Sequence, residues 1–207
     1  MRTSNPFSLI AILRGIKPEM VIPVAEVLIA HGFKAIEVPT NSPRVFESIE
    51  NLCKNIDLSI RIGAGTVLTP QQVVDAKNAG ASFIVSPNTN AEVIRKAVEM
   101  DLDTFPGVYT ITEAFEAIQA GSNRLKLFPA NALTPTIIKD WKSVLPLQTE
   151  IYAVGGVDAT NLSTWMQAGA AGVGLGSCLY KTEYLLDEIA ARAFEITQAQ
   201  KVNHSQT

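Results

Sequence analysis

Three charged residues stand in runs that are otherwise apolar. Arg14 follows Leu9-Ile10-Ala11-Ile12-Leu13, Glu37 sits in Ala35-Ile36-Glu37-Val38-Pro39, and Lys126 sits in Leu125-Lys126-Leu127-Phe128-Pro129. A charge in a dry strand costs free energy unless something compensates it, so each needs a reason. Strand alternation turns Leu125 and Leu127 to one face and Lys126 to the other. Arg124 shares the parity of Lys126 but opens the strand, where it can reach solvent. Desolvation lowers a lysine pKa, and the neutral amine can attack a carbonyl carbon to form a Schiff base. A buried carboxylate such as Glu37 has a raised pKa and can move protons near neutrality. The guanidinium of Arg14 suits a bidentate grip on a carboxylate or a phosphate. The structural alternatives are a lysine that snorkels or pairs with a carboxylate, and a Glu37–Arg14 ion pair.

Glycine motifs supply a second kind of chemistry. Gly155-Gly156, Gly174-Leu175-Gly176-Ser177 and Gly63-Ala64-Gly65-Thr66 each follow or close an apolar run. Bare backbone there lets N–H groups approach an anion, and Thr66 and Ser177 add hydroxyls. Metal chemistry has no support. The two histidines, His31 and His204, and the two cysteines, Cys53 and Cys178, are scattered, whereas a zinc site gathers three or four ligands. His31 precedes Gly32 and reads as a helix C-terminal residue. No metal and no cofactor are expected. Lysine, glutamate, arginine and a phosphate cradle point to carbonyl chemistry on a phosphorylated small molecule.

The elements that must position these groups alternate in type. Short β-rich runs fall at 9–14, 34–39, 59–64, 83–86, 103–106, 124–128, 150–154 and 172–176, with helical stretches between. Ser42-Pro43, Thr69-Pro70 and Thr134-Pro135 offer a capping hydroxyl before a first-turn proline, and Thr110 to Glu113 reads as a capping box. Gly32, Gly80, Gly121 and Gly169 stand where alternate helices should stop. Alternating β and α elements predict a parallel sheet. Eight units over 207 residues leave about 26 per unit, enough for a strand, a helix and two loops. The expectation is an α/β fold: one (β/α)8 TIM barrel domain over residues 1–207, with a polar C-terminal tail over about 199–207. An open doubly wound sheet is the alternative, but no Gly-x-Gly-x-x-Gly follows the first run. In a barrel the glycine pairs after strands seven and eight fall where phosphate is often held.

Composition narrows the partners. The chain is 47% hydrophobic and 18% charged with a net charge of -3, which excludes wholesale disorder and gives no basic footprint for nucleic acid. No apolar run approaches the ~18 residues of a membrane span. No signal peptide is evident, and two cysteines imply no disulfide framework, so a cytoplasmic setting is expected.

Arg14-Gly15, Glu37-Val38-Pro39, Gly63 to Leu68, Ser86-Pro87-Asn88, Leu125 to Ala130 and Val154 to Val157 occur in that order. The set resembles the class I aldolases acting on 2-keto-3-deoxy-6-phospho sugar acids, over Leu9 to about Tyr180. The resemblance implies a homotrimeric barrel with Lys126 as Schiff-base lysine and Glu37 as proton shuttle. It also implies Thr66 as the motif threonine, with phosphate on Gly155, Gly156, Gly176 and Ser177. The gluconate branch has an arginine four residues after the glutamate and a threonine before the Gly-Gly pair. Asn41 and Val154 stand there instead, and Arg14 matches the galactonate branch. The implied reaction cleaves the galactonate epimer of these acids to pyruvate and D-glyceraldehyde 3-phosphate. The gluconate epimer, or both epimers, is the alternative substrate. A phosphosugar epimerase or isomerase and a non-catalytic phosphate-binding barrel are the more distant readings.

Overall fold

The computed structural model describes residues 5–204. Nine parallel strands alternate with helices: β1 (Leu9–Ile12), β2 (Ala35–Pro39), β3 (Arg61–Gly65), β4 (Phe83–Val85), β5 (Asp103–Phe105), β6 (Gly107–Val108), β7 (Arg124–Leu127), β8 (Glu150–Val154) and β9 (Gly172–Leu175). Their order is β5-β4-β3-β2-β1-β9-β8-β7-β6. All eight expected strand runs are present. The fifth is split at Pro106, whose ring removes a ladder N–H. Its carbonyl still accepts from the Lys126 N–H at 2.8 Å. β5 pairs with β4 while β6 pairs with β7, so the two halves of one stave close the barrel.

Strand alternation separates two cores. Leu9, Ala11, Ile36, Val38, Leu125, Leu127, Ile151 and Ala153 face the surrounding helices. Phe7, Ile10, Ala35, Phe83, Val85, Phe105 and Tyr152 fill the lumen. Four of these rings meet edge to face, with centroids 4.9 Å apart for Phe105–Tyr152 and 5.0 Å for Phe7–Phe105, the arrangement their quadrupoles favour. Below them Arg124 bonds Asp103 at 2.6 Å and Glu150 at 2.9 Å, and Arg61 bonds Asp103 at 2.7 Å. Both guanidinium groups lie over the Phe7 ring. The N-terminal end of the barrel is therefore plugged by rings and locked by ion pairs, and Arg124 serves there.

The helices are α1 (Pro18–Ala30), α2 (Val45–Asn55), α3 (Pro70–Asn78), α4 (Ala91–Glu99), α5 (Ile111–Gln119), α6 (Thr136–Lys142), α7 (Leu162–Gln167) and α8 (Leu186–His204). Thr69 and Thr110 form complete capping boxes with Gln72 and Glu113. The four stop glycines all adopt positive φ, from 94° at Gly32 to 111° at Gly121. His31 is the C-cap of α1 and bonds the Val27 carbonyl through Nδ1. Two expected caps are corrected. Ser42 caps nothing, because its hydroxyl accepts the Gly15 N–H at 2.9 Å, and Arg44 occupies the N-cap of α2. Thr134 bonds the Thr136 hydroxyl, while Pro135 stands at the N-cap of α6. Residues 199–204 of the expected polar C-terminal tail belong to α8. Residues 205–207 of that segment lie outside the described residues.

Candidate active site

A cavity of about 680 Å³ opens at the C-terminal end of the barrel. Arg14, Glu37, Lys126, Val154, Gly155, Gly156, Gly176 and Ser177 all line it. Thr66 stands one residue beyond β3 on the same rim, but outside the cavity wall. Its φ is 55°, a costly conformation for a β-branched residue, and its carbonyl accepts from the Thr40 hydroxyl at 2.6 Å.

Lys126 and Glu37 form the dry floor, with exposures of 6% and 3%. Burial pushes the Lys126 ammonium below its ordinary pKa, and the Arg14 charge acts in the same direction while Glu37 opposes it. Burial pushes the Glu37 carboxyl above its ordinary range, against the pull of Lys126 and Arg14. Each group is thus driven towards its neutral form in a medium that solvates charge poorly. Among the described residues neither joins a direct ion pair, so the Glu37–Arg14 bridge weighed from the sequence is not formed. The Lys126 Nζ instead lies 4.5 Å from the centre of the Phe128 ring.

Arg14 is two residues past β1, with an exposed side chain at the cavity mouth. It is a rim residue, not a strand residue as its apolar run suggested. The Ser42 bond to Gly15 holds the corner behind it.

Glycines on the lumen face make the room. A Cβ on Gly65 would fall 1.8 Å from Glu37 Oε1, and one on Gly174 would fall 2.8 Å from Val154 Cγ2. Sequence reasoning took these glycines only as rim motifs. Their spacing by two, in Gly63/Gly65 and Gly172/Gly174, carried the signal, because it puts them all on the lumen face of β3 and β9.

The rim beyond β8 and β9 is bare backbone. Gly155 and Gly156 have φ of 97° and 74°, a sharp turn that other residues rarely adopt. The Gly155 carbonyl accepts from the Asn131 N–H and the Gly156 carbonyl from the Asn161 side chain, both at 2.9 Å. Among the described residues the N–H groups of Gly156 and Ser177 have no protein acceptor. A Cβ on Gly176 would meet nothing within 4 Å. This surface offers donors and open space, which suits an anion.

Sequence reasoning missed the remaining wall. Ile12, Phe128, Asp158 and, from the segment Cys178–Glu183, every residue but the buried Leu179 also line the cavity. That segment arches from β9 back to β1, where Thr182 Cγ2 comes within 3.1 Å of a Cβ built on Gly15. No sequence signal marks it, because exposed Lys181 and Glu183 read as ordinary surface residues. Among the described residues no group of three His, Cys, Asp or Glu side chains could hold a metal ion.

The sequence model of one family, described as KDPG and KHG aldolase, matches residues 3–196. The chain belongs to the KDPG and KHG aldolase family. It is an aldolase, a carbon–carbon lyase. It is 43% identical over 199 residues to the 2-dehydro-3-deoxy-6-phosphogalactonate aldolase of Escherichia coli K12, covering 96% of this chain and 97% of that one. It is 46% identical over 185 residues to a probable 2-dehydro-3-deoxy-6-phosphogalactonate aldolase of Rhizobium meliloti, covering 89% and 87%. Among solved structures, one described as native KDPGal superposes with a TM-score of 0.94 at 41% identity, covering 99% of this aldolase and 100% of that chain. The KDPG aldolase of Legionella pneumophila, described with pyruvate captured as a covalent carbinolamine, gives a TM-score of 0.80 at 29% identity, covering 94% and 92%.

Proposed function

We propose that this aldolase cleaves 2-dehydro-3-deoxy-6-phospho-D-galactonate to pyruvate and D-glyceraldehyde 3-phosphate through a Schiff base on Lys126. The observation that carries the reading is the pairing of a buried Lys126–Glu37 floor with an anion-accepting glycine rim in one cavity. The neutral Lys126 amine attacks the C2 carbonyl. Glu37 gives its proton to the developing alkoxide, and the carbinolamine loses water to leave an iminium ion. The Glu37 carboxylate then takes the C4 hydroxyl proton. The C3–C4 bond breaks, its electron pair moves into the iminium, and the aldehyde departs. Glu37 returns the proton to C3 of the enamine, and water releases pyruvate. Arg14 holds the carboxylate, Thr66 stands at the same rim, and Gly155, Gly156, Gly176 and Ser177 hold the phosphate. Binding at both ends lowers the entropic part of the barrier.

Borohydride reduction in the presence of pyruvate tests the chemistry. The expected result is one reduced pyruvate unit on the peptide that contains Lys126, with no adduct and no turnover in Lys126→Ala. An epimerase or a phosphate sensor would give no adduct in either protein. Assaying the galactonate and gluconate epimers side by side tests the substrate.

The same proposal includes a homotrimer in the cytoplasm. A designed cage built by fusing symmetric oligomeric domains matches this chain with a TM-score of 0.95, and Cys53 and Cys178 are free thiols. Light scattering should return three times the 22.3-kDa chain mass, and cell fractionation should recover the protein with the cytoplasm.

A further inference from the structure

We propose that Lys181 supplies the positive charge that the phosphate end of the substrate meets. This inference rests on the reading of the glycine rim as the phosphate cradle. A phosphate monoester carries a charge of about −1.5 to −2 near pH 7, and the cradle offers it only neutral N–H and hydroxyl groups. Three cations line the cavity: Arg14, Lys126 and Lys181. Lys126 is consumed as the nucleophile, and Arg14 takes the carboxylate. Two of the acidic groups on the wall, Asp158 and Glu183, repel a dianion. Asp158 is partly occupied by the backbone N–H and hydroxyl of Thr160, at 2.8 Å and 2.6 Å. Lys181 alone remains to balance the phosphate.

Its position fits the task. Lys181 lies four residues beyond Ser177, on the segment that arches over the mouth. Among the described residues it forms no ion pair, and its ammonium lies 5.4 Å from the centre of the Tyr184 ring. Such a cation–π contact at an exposed site is weak enough to be exchanged for a phosphate. The segment itself is fixed. Arg192 stacks on Tyr184 at 4.3 Å and donates to the Cys178 carbonyl at 3.2 Å, and the Cys178 thiol donates to the Val157 carbonyl at 3.2 Å. Lys181 is therefore an exposed charge on a braced arm that lines the same cavity as the cradle.

The test compares wild type, Lys181→Ala and Lys181→Arg in the condensation of pyruvate with D-glyceraldehyde 3-phosphate and with unphosphorylated D-glyceraldehyde. In Lys181→Ala the KM for the phosphorylated aldehyde should rise roughly threefold to tenfold, the scale of an exposed charge pair meeting a dianion. The kcat, the unphosphorylated reaction and pyruvate trapping at Lys126 should stay as in wild type. Lys181→Arg should restore the KM. Added salt should weaken wild-type affinity for the phosphorylated aldehyde more steeply than that of the alanine variant. An unchanged KM in Lys181→Ala, or an equal loss on both aldehydes, overturns the inference while leaving the cradle intact. If wild type itself shows no preference for the phosphorylated aldehyde, the cradle reading falls and Lys181 with it.

Discussion

Glu37 and Lys126 are pushed in opposite directions by the same dry lumen, and this sets the pH behaviour of the proposed reaction. Attack needs the neutral lysine, and protonation of the alkoxide it creates needs the protonated glutamate. Lowering one pKa from 10.5 and raising the other from 4.5 brings both forms towards neutrality. A bell-shaped profile of kcat/KM is expected, with limbs that belong to the pair. Glu37→Gln should remove the two-sided shape and lower kcat by about two to four orders of magnitude. Stability supplies the control. Above 4.5 the unfolded chain releases the Glu37 proton while the fold retains it up to the raised value, so stability falls as pH rises through that window. Thermal melts of Glu37→Gln should lack this fall and show a folded protein, whereas a collapsed variant would remove the case for catalysis. Val154 carries the second prediction at this scale. Its side chain packs over Gly174 on the cavity wall, close to where C4 of a doubly held substrate would lie. The two epimers differ in the direction of the C4 hydroxyl, and threonine can bond it where valine cannot. Val154→Thr should shift kcat/KM towards the gluconate epimer by about tenfold, the worth of one hydrogen bond. An unchanged ratio would move selectivity to Arg14 and Asn41.

At the scale of the elements, local chemistry was readable and remote chemistry was not. The Thr69 and Thr110 boxes close within three residues, so their sequence signals sufficed. Ser42 had the same kind of signal, but a donor 27 residues away took its hydroxyl. Strand parity sets Lys126 on the face opposite Leu125 and Leu127, as the fold does, because alternation is built into the backbone. Arg14 reads as a strand residue because its neighbours are apolar, although β1 ends at Ile12. The Cys178–Glu183 arch was invisible because its role comes from curling back onto β1. The glycine rim yields the third prediction, and here the two natural test sites differ. A Cβ on Gly156 would strain a φ of 74° and strike Asn131 at 2.5 Å, so its loss would report on folding. Gly176 has open space and no positive φ, so Gly176→Ala places a methyl group in the cavity alone. Affinity for the phosphorylated aldehyde should fall while pyruvate trapping survives. Loss of both would show that the rim serves more than phosphate.

The eightfold alternation and the four positive-φ stop glycines made the whole molecule legible as a barrel, since each unit repeats a local rule. The closure was less legible, because Pro106 splits a stave whose halves pair with different neighbours. Least legible was the plug. Phe7 precedes the first strand, and only folding brings it against Phe83, Phe105, Arg61 and Arg124. That plug makes the cavity a cul-de-sac. In the proposed reaction pyruvate, still bound to the floor as an enamine, would sit behind the aldehyde that has just parted from it. Departures must then queue: the aldehyde phosphate first, pyruvate last. Product-inhibition kinetics read the order directly. Pyruvate should compete with the sugar acid, because both claim the empty enzyme, while D-glyceraldehyde 3-phosphate should inhibit noncompetitively. The reverse pattern would mean that the tethered product has a second way out of a barrel whose far end is shut.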